Sequence, residues 1–355
     1  MASFYNWLNG IRGIGMDASL RKPTVATGYR HPDGKKCRAK DRKTCPFYKE
    51  DVAEAERLDD LSSASVSSSE SVSTSATQNI PLAISNLTGM VAQREKKWRK
   101  ASGLSAKEFA AVKANWAASV KSLIDHSLLG MKVPSESYNG VKVINEILKN
   151  GFRNLFETGD GGGVTDYESR ADAENRLFGL SKNYDSPPPP KSERPKYGCL
   201  VPNTDDPLDA LVSGPACYGL NYISLKKDRI LPRATMTVGD SLNVAMFEDD
   251  DGKFCPSTLD NPSPTMIPGE FSPLVDDLKV GTLPLDKTPD DIASDTNQEY
   301  VEIQFHGDIG AEDIDTIYFE GNELEEAELD EEARAVIRRL GIKVFDRRHN
   351  RFVSI

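Results

Sequence analysis

No apolar run in the sequence approaches the roughly 20 residues that a membrane-spanning helix needs, so a membrane protein is not expected. The five cysteines (Cys37, Cys45, Cys199, Cys217 and Cys255) are few, odd in number and widely spread. Such a set suits reduced intracellular thiols and excludes a disulfide framework. Positive charge is in deficit: 44 Lys and Arg against 55 Asp and Glu give a net charge of −11. That removes any global attraction to nucleic acid, while a local basic patch stays compatible with it. No secretory signal is readable, because Met1 to Ile14 is interrupted by Asn6, Asn9, Gly10, Arg12 and Gly13 and has no small-residue cleavage site. A cytoplasmic protein is therefore expected, with delivery inside a particle left open. There is no internal repeat and no Gly-x-Ser-x-Gly element for a Ser/His/Asp hydrolase. The glycine run 159–163 is not followed by Gly-Lys-Ser/Thr, which argues against a P-loop enzyme. What is present is ordinary globular composition, 38% hydrophobic and 28% charged, over a length that suits one large domain or two smaller ones.

Three regions follow from the charge and turn pattern. Residues 1–50 read as a small module whose second half, 29–49, is basic and turn-rich. Residues 51–88 read as a Ser-rich flexible linker: nine serines fall between Ser62 and Ser75, and such a stretch buries too little to offset its ordering entropy. Residues 89–355 hold the rest, a helical lobe followed by a β-rich part. Ser105-Ala106-Lys107-Glu108 is a capping box, and Phe109, Val112, Trp116, Val120 and Leu123 behind it mark one buried helix face. A second helix is expected over 140–156, ended by the Gly159–Gly163 run, and 186–195 reads as a polyproline-like spacer. From Lys196 the period changes to two, with strands expected at 196–201, 222–225, 234–238, 242–247, 299–307 and 316–319. Leu329 to Leu340 forms an amphipathic helix stopped at Gly341, and a strand-like IKVFD follows.

Two strand segments carry chemistry. In Glu299–Gly307, alternation places Tyr300, Glu302, Gln304 and His306 on one face, and Val301, Ile303 and Phe305 on the other. The same pattern suits a half-exposed strand with its polar side in solvent. In Arg233–Ser241, the side chains of Arg233, Thr235 and Thr237 share a face, and hydroxyls beside a guanidinium suit a diphosphate or ribose ligand. The bland reading is a Thr-rich strand closed by a turn. Tyr197-Gly198 and Tyr218-Gly219 each offer a ring for a flat heterocycle, or strand-end packing. His31, Cys37 and Cys45 lack an evident fourth ligand, so a basic hairpin with thiols is preferred there over a zinc site. His126 reads as a structural or surface residue, and His349 as part of a solvated basic C-terminal patch.

The order of these pieces is informative. FETGDGGG is followed by Arg170, Glu174 and RLFG (176–179), then RPKYG (194–198), CYG (217–219), RATMTVGDS (233–241) and YVEIQFHGDI (300–309). The series resembles a family of bacterial and phage-borne domains that are themselves similar to ADP-ribosyltransferase toxins. The likeness covers roughly residues 140–320, and its last two motifs are the most specific. It implies an α+β fold with an ADP-ribosyltransferase-like mixed β core behind the N-terminal helical lobe. It implies NAD as substrate, transfer of ADP-ribose to a protein or nucleic-acid acceptor, and a toxin, effector or phage-borne modifier. Such a protein is cytoplasmic, virion-associated or delivered into a host cell, with a phage particle or host factor as partner. Carried over by position, Arg194 grips the cofactor phosphates, and Thr235 and Thr237 shape the ribose pocket beside Arg233. Tyr197 or Tyr218 stacks on nicotinamide, and Glu302 is the catalytic glutamate.

The Glu302-Ile303-Gln304 order departs from the toxins, whose catalytic glutamate stands second in the motif. With Glu302 catalytic, Tyr300 occupies the acceptor-selecting position. With Gln304 there instead, the charge is missing and the domain only binds. The second departure is the acidity of Asp249–Asp251 and the 320–332 run, which reads as a solvated face. A non-enzymatic alternative therefore stands beside the transferase: a catalytically inactive phage or mobile-element structural or interaction protein.

Overall fold

The computed structural model describes residues 73–137, 140–158, 167–179, 191–215, 218–242, 257–259, 261–264, 287–295 and 299–355. The chain divides between Glu70 and Ser71, and all described residues belong to the second part. The expected basic module, residues 51–72 of the expected linker, the Gly159–Gly163 run, the strand residues 243–247, Cys217 and Asp249–Asp251 lie outside them. His31, Cys37 and Cys45 do as well.

The part described is α+β. Nine strands form one mixed sheet in the order β5-β4-β6-β2-β1-β3-β7-β8-β9. They are β1 (Ser127–Val133), β2 (Lys196–Pro202), β3 (Asn221–Leu225), β4 (Ala234–Val238), β5 (Ser257–Thr258), β6 (Val301–Phe305), β7 (Ile314–Phe319), β8 (Lys343–Asp346) and β9 (Arg351–Val353). All neighbours run antiparallel except β7 and β8. The helices that matter here are α1 (Ser73–Ser102), α2 (Ala106–Asp125), α3 (Val143–Asn150), α4 (Tyr167–Phe178) and α5 (Glu331–Leu340).

One sheet face is aliphatic. Leu129 and Met131 of β1, Leu200 of β2, Ile223 of β3, Met236 of β4, Ile303 of β6 and Ile317 of β7 share a core with Val112, Trp116 and Val120 of α2. Ile144 and Leu148 of α3 and Ile337 of α5 join it. The capping box at Ser105 and Glu108 forms as the sequence pattern predicts and starts α2. The opposite face changes character along the sheet. Across β2, β3, β7 and β8 it is aromatic, with Tyr222, Tyr318 and Phe345 clustered beside Cys199 and Val201. Across β4, β6 and β2 it is polar, and α4 lies against part of it through Arg170 and Glu174 at Tyr197 and Phe178 at His306.

Three expectations are corrected. Residues 73–88 are helical rather than linker-like, because Ala83 and Leu87 anchor α1 against Ala173, Leu177 and Phe178 of α4. The Asn86 side chain donates to the Leu177 carbonyl at 3.0 Å, holding the end of α4. The helix expected over 140–156 spans only Val143–Asn150, since Gly151 leaves helical geometry at φ 76°. Phe152 is still buried, but its N–H bonds the Ile309 carbonyl. Strands β1, β5 and β9 have no counterpart in the pattern reading. β1 follows α2 almost without a break, and Gly130 interrupts its alternation.

Candidate functional site

Register builds the polar face. β6 lies between β2 and β4, so Thr235, Gln304 and Tyr197 form one row and Thr237, Glu302 and Cys199 the next. Side chains in such rows point the same way. Gly198 in RPKYG serves this packing directly: a Cβ there would lie 2.1 Å from the Gly130 carbonyl oxygen on β1. Its role is therefore close strand approach.

The strand alternation predicted for β6 is observed, yet neither side of the strand faces solvent. Glu302 is 2% exposed and Gln304 fully buried. The polar atoms are tied to one another instead. Gln304 donates to Glu302 Oε1 at 2.7 Å and to Thr237 at 2.9 Å, and accepts from Thr235 at 2.8 Å. Thr235 also lies 3.1 Å from His306 Nε2, while the His306 ring meets Phe178 edge-on at 4.9 Å. The second Glu302 oxygen accepts from the Tyr300 hydroxyl at 3.2 Å, and the Ser241 backbone N–H reaches Oε1 at 3.2 Å. Half-buried Tyr218 hydrogen-bonds Tyr300 in turn, so the network runs outward from Glu302 through two phenols.

Helix α4 supplies the charges over this face. Arg170, Glu174 and Phe178 are spaced by four and share one side of the helix. Glu174 is buried and takes a 2.6 Å bond from Arg194 Nη1 and a 3.0 Å bond from the Tyr197 hydroxyl. Arg194 stands just before β2, also buried, with its guanidinium 4.1 Å above the Phe156 ring. Arg170 lies over Tyr197, 4.3 Å from the ring centre to the guanidinium carbon.

Burial decides the titration. The Glu302 carboxyl is pushed up from 4.5 to about 7, first by desolvation and then by neighbouring Asp240, with Arg170 opposing. Desolvation also raises Glu174 against the pull of Arg194. It lowers His306 from 6.5 to about 4, helped by Lys196, so that ring is neutral at physiological pH. For Arg170, burial favours the neutral form, but Tyr197, Glu302, Asp240 and Glu174 together hold its affinity for the proton above the ordinary value.

Of the residues singled out from sequence, Arg194, Tyr197, Thr235, Thr237, Glu302 and Gln304 meet in this cluster, with Tyr218 at its margin. Arg233 does not. It ends a 3-10 turn (Leu231–Arg233) rather than sitting on β4, so strand alternation does not govern it. Its guanidinium pairs with buried Asp313 at 2.8 Å and with the Asp308 carbonyl, lining a charged cleft of about 400 Å³ with Arg229 and Glu312. Pattern reading gave no role to Arg170, Glu174, Asp240 or Ser241. The spacing of four on α4 is the signal that marks the first two. Among the described residues no group of three His, Cys, Asp or Glu side chains could hold a metal, and no helix is long and apolar enough to cross a membrane. No family model and no curated protein matches the chain.

Proposed function

We propose that the protein is an NAD-dependent ADP-ribosyltransferase acting on a macromolecular acceptor, with an ADP-ribosyltransferase-like β core and α1 and α2 as its appended helical lobe. The observation that carries this reading is the convergence of Glu302, Gln304, Thr235, Thr237, Tyr197, Arg170 and Arg194 on one sheet face. A strand needed only for packing has no reason to bury a carboxylate among hydroxyls and guanidinium groups.

In this reading Glu302 is the catalytic carboxylate. As the nicotinamide–ribose bond breaks, nicotinamide leaves with the bonding electrons and positive charge builds on the sugar. A fixed carboxylate lowers that barrier because it interacts most strongly in the transition state. Gln304 is a positioning residue: its amide is fully used by Glu302, Thr235 and Thr237. The acceptor is a protein or nucleic acid, and a toxin, effector or phage-borne modifier in a host cytoplasm is the setting that fits.

One observation favours a second reading, an inactive phage or mobile-element interaction protein. Arg194 is neutralised by Glu174, and the Glu302 carboxylate is satisfied internally. Purified protein, wild type beside Glu302→Ala, is incubated with a tagged NAD analogue and host lysate while released nicotinamide is counted. The transferase reading expects labelling or nicotinamide release that falls by about 10²–10³ in the variant. Absence of both turnover and NAD binding in the wild type rejects it in favour of the second.

A further inference from the structure

The two arginines of the cluster differ in what they hold. Arg194, assigned to the ligand phosphates by motif position, is 4% exposed and committed to Glu174 in a buried pair. Releasing it to a ligand would leave the Glu174 carboxyl buried without its partner, a heavy cost. Arg170 is half-buried and stacked on Tyr197, and among the described residues its guanidinium makes no ion pair or hydrogen bond. Its donors are free, while Glu302 and Asp240 lie near enough to act on its charge.

A second, independent feature lies beside it. Ser241 is fully buried, and among the described residues its hydroxyl has no hydrogen-bond partner, although its own N–H bonds Glu302 Oε1. A buried hydroxyl without a partner is rare in a folded protein and calls for a specific explanation. The residue follows Gly239-Asp240, the turn leaving β4, so its hydroxyl and the Glu302 carboxylate stand at the same end of the polar face.

We infer that Arg170 and Ser241 anchor the ligand at Glu302: Arg170 takes the anionic phosphates of a dinucleotide, and Ser241 takes a ligand oxygen beside the carboxylate. This rests on the transferase reading and deepens it by moving the phosphate grip from Arg194 to Arg170. Arg194 then acts on the ligand only through Glu174 and Tyr197, as a positioning residue.

The test compares full-length wild type with Arg170→Gln, Arg170→Lys, Arg194→Gln and Ser241→Ala. It measures nicotinamide release from NAD and from nicotinamide riboside, which has the same scissile bond and no phosphate. Thermal unfolding is followed with and without inorganic pyrophosphate. Arg170→Gln is expected to raise the KM for NAD by about tenfold or more and leave that for the riboside unchanged, with Arg170→Lys in between. Ser241→Ala weakens both substrates, and Arg194→Gln lowers the unfolding temperature without discriminating between them. An unchanged KM for NAD in Arg170→Gln, beside a phosphate-selective loss in Arg194→Gln, overturns the assignment. Should the wild type ignore NAD yet be stabilised by pyrophosphate only while Arg170 is present, the anion anchor stands and the NAD reading falls. Indifference of the wild type to both ligands overturns the anchor as well.

Discussion

The two sides of β6 are buried equally and by different rules. Val301, Ile303 and Phe305 enter an aliphatic core, where stability follows the area removed from water and the volume filled. Glu302, Gln304 and His306 enter a face where each atom must find a donor or acceptor, and where leaving one partner behind costs more than the bond contributed. The aliphatic side makes the strand stay; the polar side fixes which groups meet. Function is expected to be sensitive to the second side and stability to both.

The largest effects separate these rules. Arg194→Gln leaves Glu174 buried without its charge partner and is expected to cost about 3–5 kcal/mol in urea unfolding. Ile303→Ala opens a cavity on the aliphatic side and is expected to cost about 2–5 kcal/mol, with turnover per folded molecule retained. Glu302→Gln reverses that result, removing turnover while leaving stability near neutral or higher. If Ile303→Ala lost turnover in proportion to Glu302→Gln, the division between the two sides would be wrong.

A smaller effect tests what covers the polar face. Leu87 on α1 is fully buried against α4, which carries Arg170 and Glu174. Leu87→Ala is expected to cost about 2–3 kcal/mol and to raise amide exchange along α4 more than along β6. Uniform exchange would mean that α1 does not brace α4 separately from the sheet.

How far these features were legible depends on the range of the signal. The period-two run within 299–307 and the Thr strand at 234–238 specify both strands, and Ser105-x-x-Glu108 specifies the start of α2, because each signal is local. Burial of the polar side was not legible: whether alternation faces water depends on α4, more than a hundred residues earlier in the chain. Arg233 was misplaced for a local reason, since a 3-10 turn holds it out of the strand geometry that Thr235 obeys. Serine content hid the helix at 73–88, whose anchors are Ala83 and Leu87 and whose partner is again α4. The cluster residues Arg170 and Glu174 stood in the motif order, but only the fold shows that Glu174 is paired directly with Arg194 while Arg170, among the described residues, makes no direct ion pair.

The smallest expected effect is a cancellation. Glu302 is raised from 4.5 to about 7, so the folded state holds a proton that the unfolded chain releases. Its contribution is full below about pH 4.5 and is lost as pH rises through about 7, a change of about 3 kcal/mol. His306 is lowered from 6.5 to about 4, so there the unfolded chain binds the extra proton. Its contribution is full above about pH 6.5 and is lost as pH falls through about 4, again by about 3 kcal/mol. Between about pH 4.5 and 6.5 the two slopes oppose, and the pair adds almost nothing to the pH dependence of wild-type stability. Substitution should uncover each slope: Glu302→Gln should gain stability from about pH 4 to 6.5, and His306→Gln should lose it from about pH 4.5 to 7. Urea unfolding across that range reads both. A Glu302→Gln profile parallel to wild type would show that the carboxyl titrates near its ordinary value, and that the polar side of β6 admits more water than its hydrogen bonds imply.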